Sequence, residues 1–300
     1  GIKLDMDFIK EELARRQPGK SILSTSRREK DEFEILSGYF QGRTTGSPLC
    51  AIIFNQDCQP QDYDKIKNLP RPGHADYTAF IKYNGFNDYR GGGHFSGRLT
   101  APLVFAGAVA KHVLKLRNIL IASHIKSIQD VCDKNFDNVN IDATLLDKLR
   151  NSDLPVLDES VGEKMKARIL AAKNEMDSVG GIIETMIINL EPGLGSPFFD
   201  GVESRLAHAL FSIPAAKGVE LGDGFNITRL KGSQANDEFV LDGDKIVTST
   251  NHNGGILGGI TTGMPLVFRV AIKPTPSIGI SQKTVDIEKK QETTITVKGR

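Results

Sequence analysis

The sequence predicts an α+β fold in which strands pair as hairpins and several helices are buried among them. Three observations carry this prediction. Short apolar runs flanked by turn residues read as paired strands. Other segments repeat their apolar residues at helical spacing. With 39% hydrophobic and 25% charged residues, the composition matches a globular chain and excludes disorder. The 300 residues amount to two domains' worth of chain or one large domain.

Taken in order, Asp5 or Asp7 caps a short helix carrying Phe8, Ile9 and Leu13, which Pro18-Gly19 stops just after Arg15 and Arg16. The runs EILSGYF and PLCAIIF, separated by GRTTGSP, predict a hairpin-like pair between Glu34 and Asn55. Residues 76–83 predict one or two helical turns, and Gly91-Gly92-Gly93 predicts irregular backbone. From Arg98 to Leu116 the apolar spacing is that of a buried helix, with Pro102 tolerable near its start. The Asp- and Asn-rich residues 133–160 predict a surface insertion, followed by a helix over about 160–175. SVGGIIETMIINL predicts a strand, FFDGVESRLAHALFSI an amphipathic helix and PLVFRVAIKP a further strand. Glycine-dense GLGSP and GGILGGITTG bring bare backbone to where a ligand or a neighbouring chain could approach. This mixture favours α+β over a doubly wound parallel sheet.

Lys and Arg number 38 against 37 Asp and Glu, so bulk attraction to nucleic acid or an anionic membrane is not expected, and anion binding must come from local clusters. The absence of tryptophan leaves little for base-stacking platforms. The apolar stretch Ala101 to Ala110 is about half of a membrane span and runs into Lys111. Cys50, Cys58 and Cys132 lack both a disulfide framework and metal-ligand spacing, and the opening Gly-Ile-Lys-Leu-Asp lacks signal-peptide features; a reducing, cytoplasmic setting and no metal are expected.

Three constellations carry chemistry. Arg15, Arg16, Arg27, Arg28, Arg71 and Arg98 lie mostly beside glycine or proline turns, and guanidinium groups converging from separate segments suit a small, multiply anionic metabolite; the plainer alternative is solvated surface charge. His74, in Arg71-Pro72-Gly73-His74-Ala75-Asp76, sits on a turn with an acid two positions on, which suits proton transfer; the alternative is a capping or merely exposed histidine. Lys273-Pro274-Thr275-Pro276-Ser277 ends an apolar strand and offers an ammonium and hydroxyls to a phosphate; the alternative is an edge strand closed by prolines. The remaining histidines show no ligand spacing and read as mostly structural. There is no Walker loop, Gly-x-Gly-x-x-Gly, nucleophile elbow or reactive-cysteine motif.

The segments RPGHADYTAFIKYNGFNDYRGGGHFSGR, DSVGG, EPGLGSPFFD, SIPAAKGVELGDGF, NHNGGILGGITTGMP and IKPTPSI, in this order, strongly resemble the chorismate synthase family from end to end. The resemblance implies one large domain with helices packed between antiparallel sheets, a homotetramer, and an anti-1,4-elimination that turns 5-enolpyruvylshikimate 3-phosphate into chorismate and phosphate with reduced FMN. It implies that His74 lies near the flavin and assists its protonation, and that Arg16, Arg71, Ser96 and Arg98 grip substrate carboxylate and phosphate. It implies flavin contacts at Phe95, Ser96, Gly97, Gln234, Ala235, Gly258, Lys273, Pro274, Thr275, Pro276, Ser277 and Arg300. Reduction of the flavin by NADPH on this chain would need a nicotinamide pocket that no motif marks; the alternative is a separate reductase.

The chain departs from the family where Ile22 stands in place of a basic residue, and where GGGHFSGRLTA replaces a commoner Ser-Ala-Arg-Glu-Thr pattern. The family's early Gly-Glu-Ser-His-Gly segment and the Asp-containing stretch after Gly299-Arg300 are not in the sequence. If they are missing from the molecule, the expectation is a folded but inactive chain, a flavin- or anion-binding paralogue or an assembly partner without catalysis.

Overall fold

The computed structural model describes residues 1–19, 21–24, 29–56, 66–140 and 142–297. They group into two compact units, one formed by Gly1–Val113, Ile169–Ser178 and Thr275–Arg300, the other by Leu114–Arg168 and Val179–Pro274.

In the first unit, α1 (Met6–Arg16) starts where Asp5 Oδ1 accepts the N–H groups of Asp7 and Phe8, so Asp5 is the cap. Strands β1 (Phe33–Ser37) and β4 (Cys50–Ile53) pair antiparallel, with the short ladder of β2 (Tyr39–Phe40) and β3 (Arg43–Thr44) between them, as the hairpin reading expects. Helix α2 (Asp76–Lys82) follows the Pro-Gly turn, and the triple glycine lies in a 3-10 turn, Arg90–Phe95. Gly93 there has φ +52° and would bring a Cβ to 2.2 Å from the Asp88 carbonyl oxygen, so no other residue fits. Helix α3 (Thr100–Lys115) carries Pro102 in its first turn. Ile9 and Leu13 of α1, Phe105 and Ala108 of α3 and Leu4 form the buried cluster, with Phe33, Ile35, Ala51 and Ile53 of the paired strands packed on it. Each fully buried side chain of this size contributes about 1.5–3 kcal/mol.

The second unit is built on a five-stranded sheet. Its strands are β5 (Leu120–Ile128), β6 (Val131–Cys132), β7 (Gly181–Ile188), β8 (Ala216–Leu221) and, at the far end of the unit's sequence, Leu266–Ile272. Helices α4 (Ala143–Arg150), α5 (Glu159–Asn174) and α6 (Val202–Phe211) interrupt them in sequence, and the single turn α7 (Gly232–Ala235) precedes the hairpin of β9 (Phe239–Asp242) and β10 (Lys245–Thr248). A tight ladder of β11 (Ile256–Leu257) and β12 (Ile260–Thr261) leads into the last sheet strand, β13. The order is β6-β5-β7-β13-β8 and every neighbour is antiparallel, which bears out α+β.

Alternation along β13 explains the layers. Leu266, Phe268 and Val270 face one side, where Val202, Leu206 and Leu210 of α6 pack; Val267 faces the other, with Met186, Ala122 and Leu146 and Leu149 of α4. Residues 133–160, expected as a surface insertion, therefore need correcting: Phe136, Leu146 and Leu149 are buried in this core. The Asp and Asn residues of that segment mark its turns and the α4 cap at Asp142, while its few leucines do the packing.

The sheet also carries a row of charges in register. His124 of β5 stands opposite Glu184 of β7, Glu184 opposite Arg269 of β13, and Arg269 opposite Glu220 of β8. His124 Nε2 lies 2.9 Å from Glu184 Oε2, Arg269 Nη1 donates to Glu184 Oε1 at 3.2 Å, and Arg269 Nε donates to Glu220 Oε1 at 2.8 Å. Burial alone would raise the Glu184 carboxyl, but the bonds from His124 and the Phe136 N–H, with the His124 and Arg269 charges, hold it below its ordinary value.

Two strands, β14 (Gln282–Asp286) and β15 (Gln291–Ile295), form a hairpin that belongs to the first unit.

Candidate active site

The Arg71-Pro72-Gly73-His74 turn is closed by the His74 N–H donating to the Arg71 carbonyl at 3.1 Å, with Gly73 at φ +72°. It sets two side chains, Arg71 and His74, around one carboxylate. Asp76, the first residue of α2, accepts Arg71 Nε at 2.8 Å and the Arg71 backbone N–H at 3.0 Å on Oδ2, and Arg71 Nη2 at 2.8 Å on Oδ1. His74 Nδ1 lies 2.7 Å from the same Oδ1, and Arg71 Nη1 donates to Ser277 Oγ at 3.2 Å. Burial opposes ionisation of Asp76, yet the bonds from Arg71 and His74 and the Arg71 charge hold its carboxyl well below the usual range. Arg71 and Asp76 also line a cavity of about 250 Å³ with Asn68, Phe80, Tyr89 and Ile287.

A second carboxylate organises Arg16 and Arg98. Arg16 Nη1 donates to Asp31 Oδ2 at 2.6 Å, and Arg98 Nη1 donates to Asp31 Oδ1. Arg16 Nε donates to Thr100 Oγ1 at 3.1 Å, while Arg98 Nη2 reaches the Phe54 carbonyl at 3.3 Å and Glu29 Oε2 at 3.4 Å. The Asp31 side chain is fully buried and that of Glu29 nearly so. Ser96 Oγ accepts the Arg98 N–H at 3.2 Å, which orients the turn leading into α3.

Within the first unit, then, the structure brings Arg71 and His74 together on Asp76, with Ser277 on Arg71, and Arg16 and Arg98 together on Asp31, with Glu29 and Ser96 on Arg98. Glu29 and Asp31 were missed by sequence reasoning because they stand in the charged run REKDEFE, which reads as solvated surface. The only signal was their position just before a strand. Arg15 pairs instead with Glu12, and Ile22 is exposed. Arg27, Arg28, Cys58 and Arg300 lie outside the described residues.

The positions expected to touch a cofactor fall in both units. In the first, Phe95 and Gly97 flank Ser96 at the end of the 3-10 turn, and Thr275, Pro276 and Ser277 follow one another at its re-entry, where the Thr275 carbonyl accepts Ser178 Oγ at 2.7 Å. In the second, Gln234 and Ala235 lie on α7, Gly258 turns between β11 and β12, and Lys273 and Pro274 close β13; the Lys273 N–H donates to the Ala215 carbonyl at 3.0 Å and Gln234 Oε1 accepts the Lys231 N–H. A Cβ on Gly97 or Gly258 would meet nothing within 4 Å, so neither glycine is required by a packing neighbour. Taken unit by unit, open backbone with the hydroxyls of Ser96, Thr275 and Ser277 in the first, and with the Lys273 ammonium and an exposed carboxamide in the second, is chemistry of the kind that hydrogen-bonds a polar ring edge or a phosphate.

The family model for chorismate synthase matches residues 1–300. The chain belongs to the chorismate synthase family. It is 49% identical over 300 residues to a chorismate synthase of Thermococcus kodakarensis and 48% over 303 residues to that of Pyrococcus abyssi, in each case over 100% of this chain and 82% of the relative. A solved structure titled "Crystal Structure of Chorismate Synthase" is similar with a TM-score of 0.73 and 35% identity, covering 92% of this chain and 77% of that one. As a chorismate synthase family member the chain is a lyase of the shikimate pathway: it converts 5-enolpyruvylshikimate 3-phosphate to chorismate and phosphate, on the way to the aromatic amino acids, with reduced FMN as cofactor.

Proposed function

We propose that the two carboxylate-centred clusters of the first unit carry this elimination, His74 handling the proton and Arg16, Arg71, Ser96 and Arg98 the anionic groups of the substrate. The observation behind this reading is that each guanidinium is already fixed before any ligand is considered: Arg16 and Arg98 by one buried Asp31, Arg71 by Asp76. Because these carboxylates balance much of the positive charge, the arginines act chiefly through directed N–H donors. Arg16 uses Nε and Nη1 on Thr100 and Asp31, and among the described residues its Nη2 has no hydrogen-bond acceptor, which leaves it to donate to a ligand. A trianionic substrate with a phosphate and two carboxylates suits several such forks.

When bound, reduced FMN supplies electron density that lets the allylic phosphate leave. The resemblance assigns its contacts to Phe95, Ser96, Gly97 and Thr275 to Ser277 of the first unit, to Gln234, Ala235, Gly258, Lys273 and Pro274 of the second, and to Arg300. His74 exchanges a proton through Nε2 while Nδ1 faces Asp76, the departing phosphate is met by arginine N–H groups, and Ser96 orients the Arg98 turn. The deciding experiment is an anaerobic assay with reduced FMN and substrate: Arg98→Lys, which keeps charge but loses the fork, should weaken substrate binding at least tenfold. Unchanged KM would remove Arg98 from the substrate grip.

The same reading includes a homotetramer and a cytoplasmic location. Phe239, Leu241 and Ile246 on the β9–β10 hairpin are exposed, as is Phe225, and a second copy of the chain is the occupant the family suggests for that apolar surface. Cys50 and Cys132 are free, exposed thiols, which suits a reducing compartment. Among the described residues no helix is long and apolar enough to cross a membrane.

A further inference from the structure

We infer that Asp76 is a positioning residue for the reaction, setting through one carboxylate both the tautomer of His74 and the heading of the Arg71 guanidinium. The inference rests on the role proposed for His74 and extends it to a residue that bears no part in gripping substrate or flavin.

An ionised carboxylate only accepts hydrogen bonds. The 2.7 Å contact between His74 Nδ1 and Asp76 Oδ1 therefore places the ring hydrogen on Nδ1 and makes Nε2, which has Arg71 Nη2 at 3.3 Å, the accepting and working atom. Arg71 makes three bonds to the same carboxylate, through Nε, Nη2 and its backbone N–H, and turns Nη1 toward Ser277. Arg71 Nη2 and His74 Nδ1 stand 3.1 Å apart, side by side on Oδ1, so imidazole and guanidinium share one reference point. Both are well buried, with side chains 7% and 14% exposed, so water is a poor substitute for the shared oxygen.

Replacing one carboxylate oxygen by an amide leaves a single acceptor for donors that now use two. In Asp76→Asn the oxygen stays with the Arg71 Nε and backbone donors, and the amide NH₂ faces His74. Nδ1 must then accept, the ring hydrogen moves to Nε2, and the working atom is inverted.

Two measurements test this. In protein labelled with 15N-histidine, near pH 8 where a free imidazole is neutral, wild-type His74 should show the hydrogen on Nδ1, and Asp76→Asn should move it to Nε2. In the anaerobic assay Asp76→Asn should lower kcat by about 10²- to 10⁴-fold with a much smaller change in KM, the scale expected for a wrongly presented acid-base group, and Asp76→Glu should recover part of it. A wild-type ring protonated on Nε2, or an Asp76→Asn enzyme within about two-fold of wild-type kcat, overturns the inference. If Asp76→Asn does not fold, the wild-type tautomer alone decides. His74→Ala run alongside keeps the readings apart: full turnover there rejects the role of His74, whereas an unaltered tautomer in Asp76→Asn rejects only that of Asp76.

Discussion

His74 and Asp31 should fail in different ways when removed, because the proposed role of one is to move a proton whereas the other holds two cations. His74→Ala should cut turnover by about 10²- to 10⁴-fold while FMN still binds, read as chorismate formation in the anaerobic assay and as flavin fluorescence in titration. Asp31→Ala strips the partner from Arg16 and Arg98 together, and should cost about 3–5 kcal/mol in urea unfolding, as expected when a buried ion pair loses one member. Gly97→Ala tests the proposed cofactor contact in isolation. With open space at its Cβ and no positive φ, it should leave stability within about 0.5 kcal/mol of wild type, so weaker FMN binding in that variant would report the ligand directly. Gly258→Ala is less clean, since φ +59° adds about 1–2 kcal/mol of strain of its own. At this scale the sequence showed the arginines beside their turns and the histidine on its Pro-Gly corner. It did not show the carboxylates that fix them, because the burial of Asp31 is decided by Arg98, 67 residues further along.

Among elements, the in-register row across β5, β7, β13 and β8 makes a pH prediction. Glu184 has a folded pKa below its ordinary 4.5. Below that ordinary value the unfolded chain therefore takes up a proton before the folded one does. Its stabilising contribution is fully present above pH 4.5 and is lost as the pH falls through the folded value. Denaturant midpoints taken from pH 7 downward should hold level in this respect and then drop. Glu184→Gln, less stable at neutral pH, should show a shallower drop; an identical slope in both would remove Glu184 from the acid transition. The elements with clear periodicity were legible, including the cap at Asp5 and the apolar alternation in β13, whereas β5, β8 and the β9–β10 and β14–β15 hairpins went unread. The row of charges was not legible, since a lone His, Glu or Arg in an apolar strand gains meaning only when the register aligns it with the next strand. The same gap hid the buried leucines of α4, which an Asp- and Asn-rich neighbourhood masked.

For the molecule as a whole, the exposed apolar surface on β9–β10 is where the proposed tetramer is tested. Charges at Leu241 and Ile246, as Leu241→Lys with Ile246→Lys, should shift the mass measured by light scattering from tetramer toward smaller species while the isolated chain keeps its secondary structure. A tetramer of unchanged mass would move the contact elsewhere. The discontinuous make-up of the first unit has a consequence for how the protein is made. Asn68, Pro70 and Arg71 are tied to Glu288, Thr284 and Ser277, partners that lie 206 to 220 positions later in the chain. At roughly 5–20 residues per second, a ribosome releases the histidine-bearing corner about 10 to 40 s ahead of the strands that pin it. Throughout that wait the nascent corner lacks these three ties, and the proposed catalytic geometry is among the last features to mature on translation.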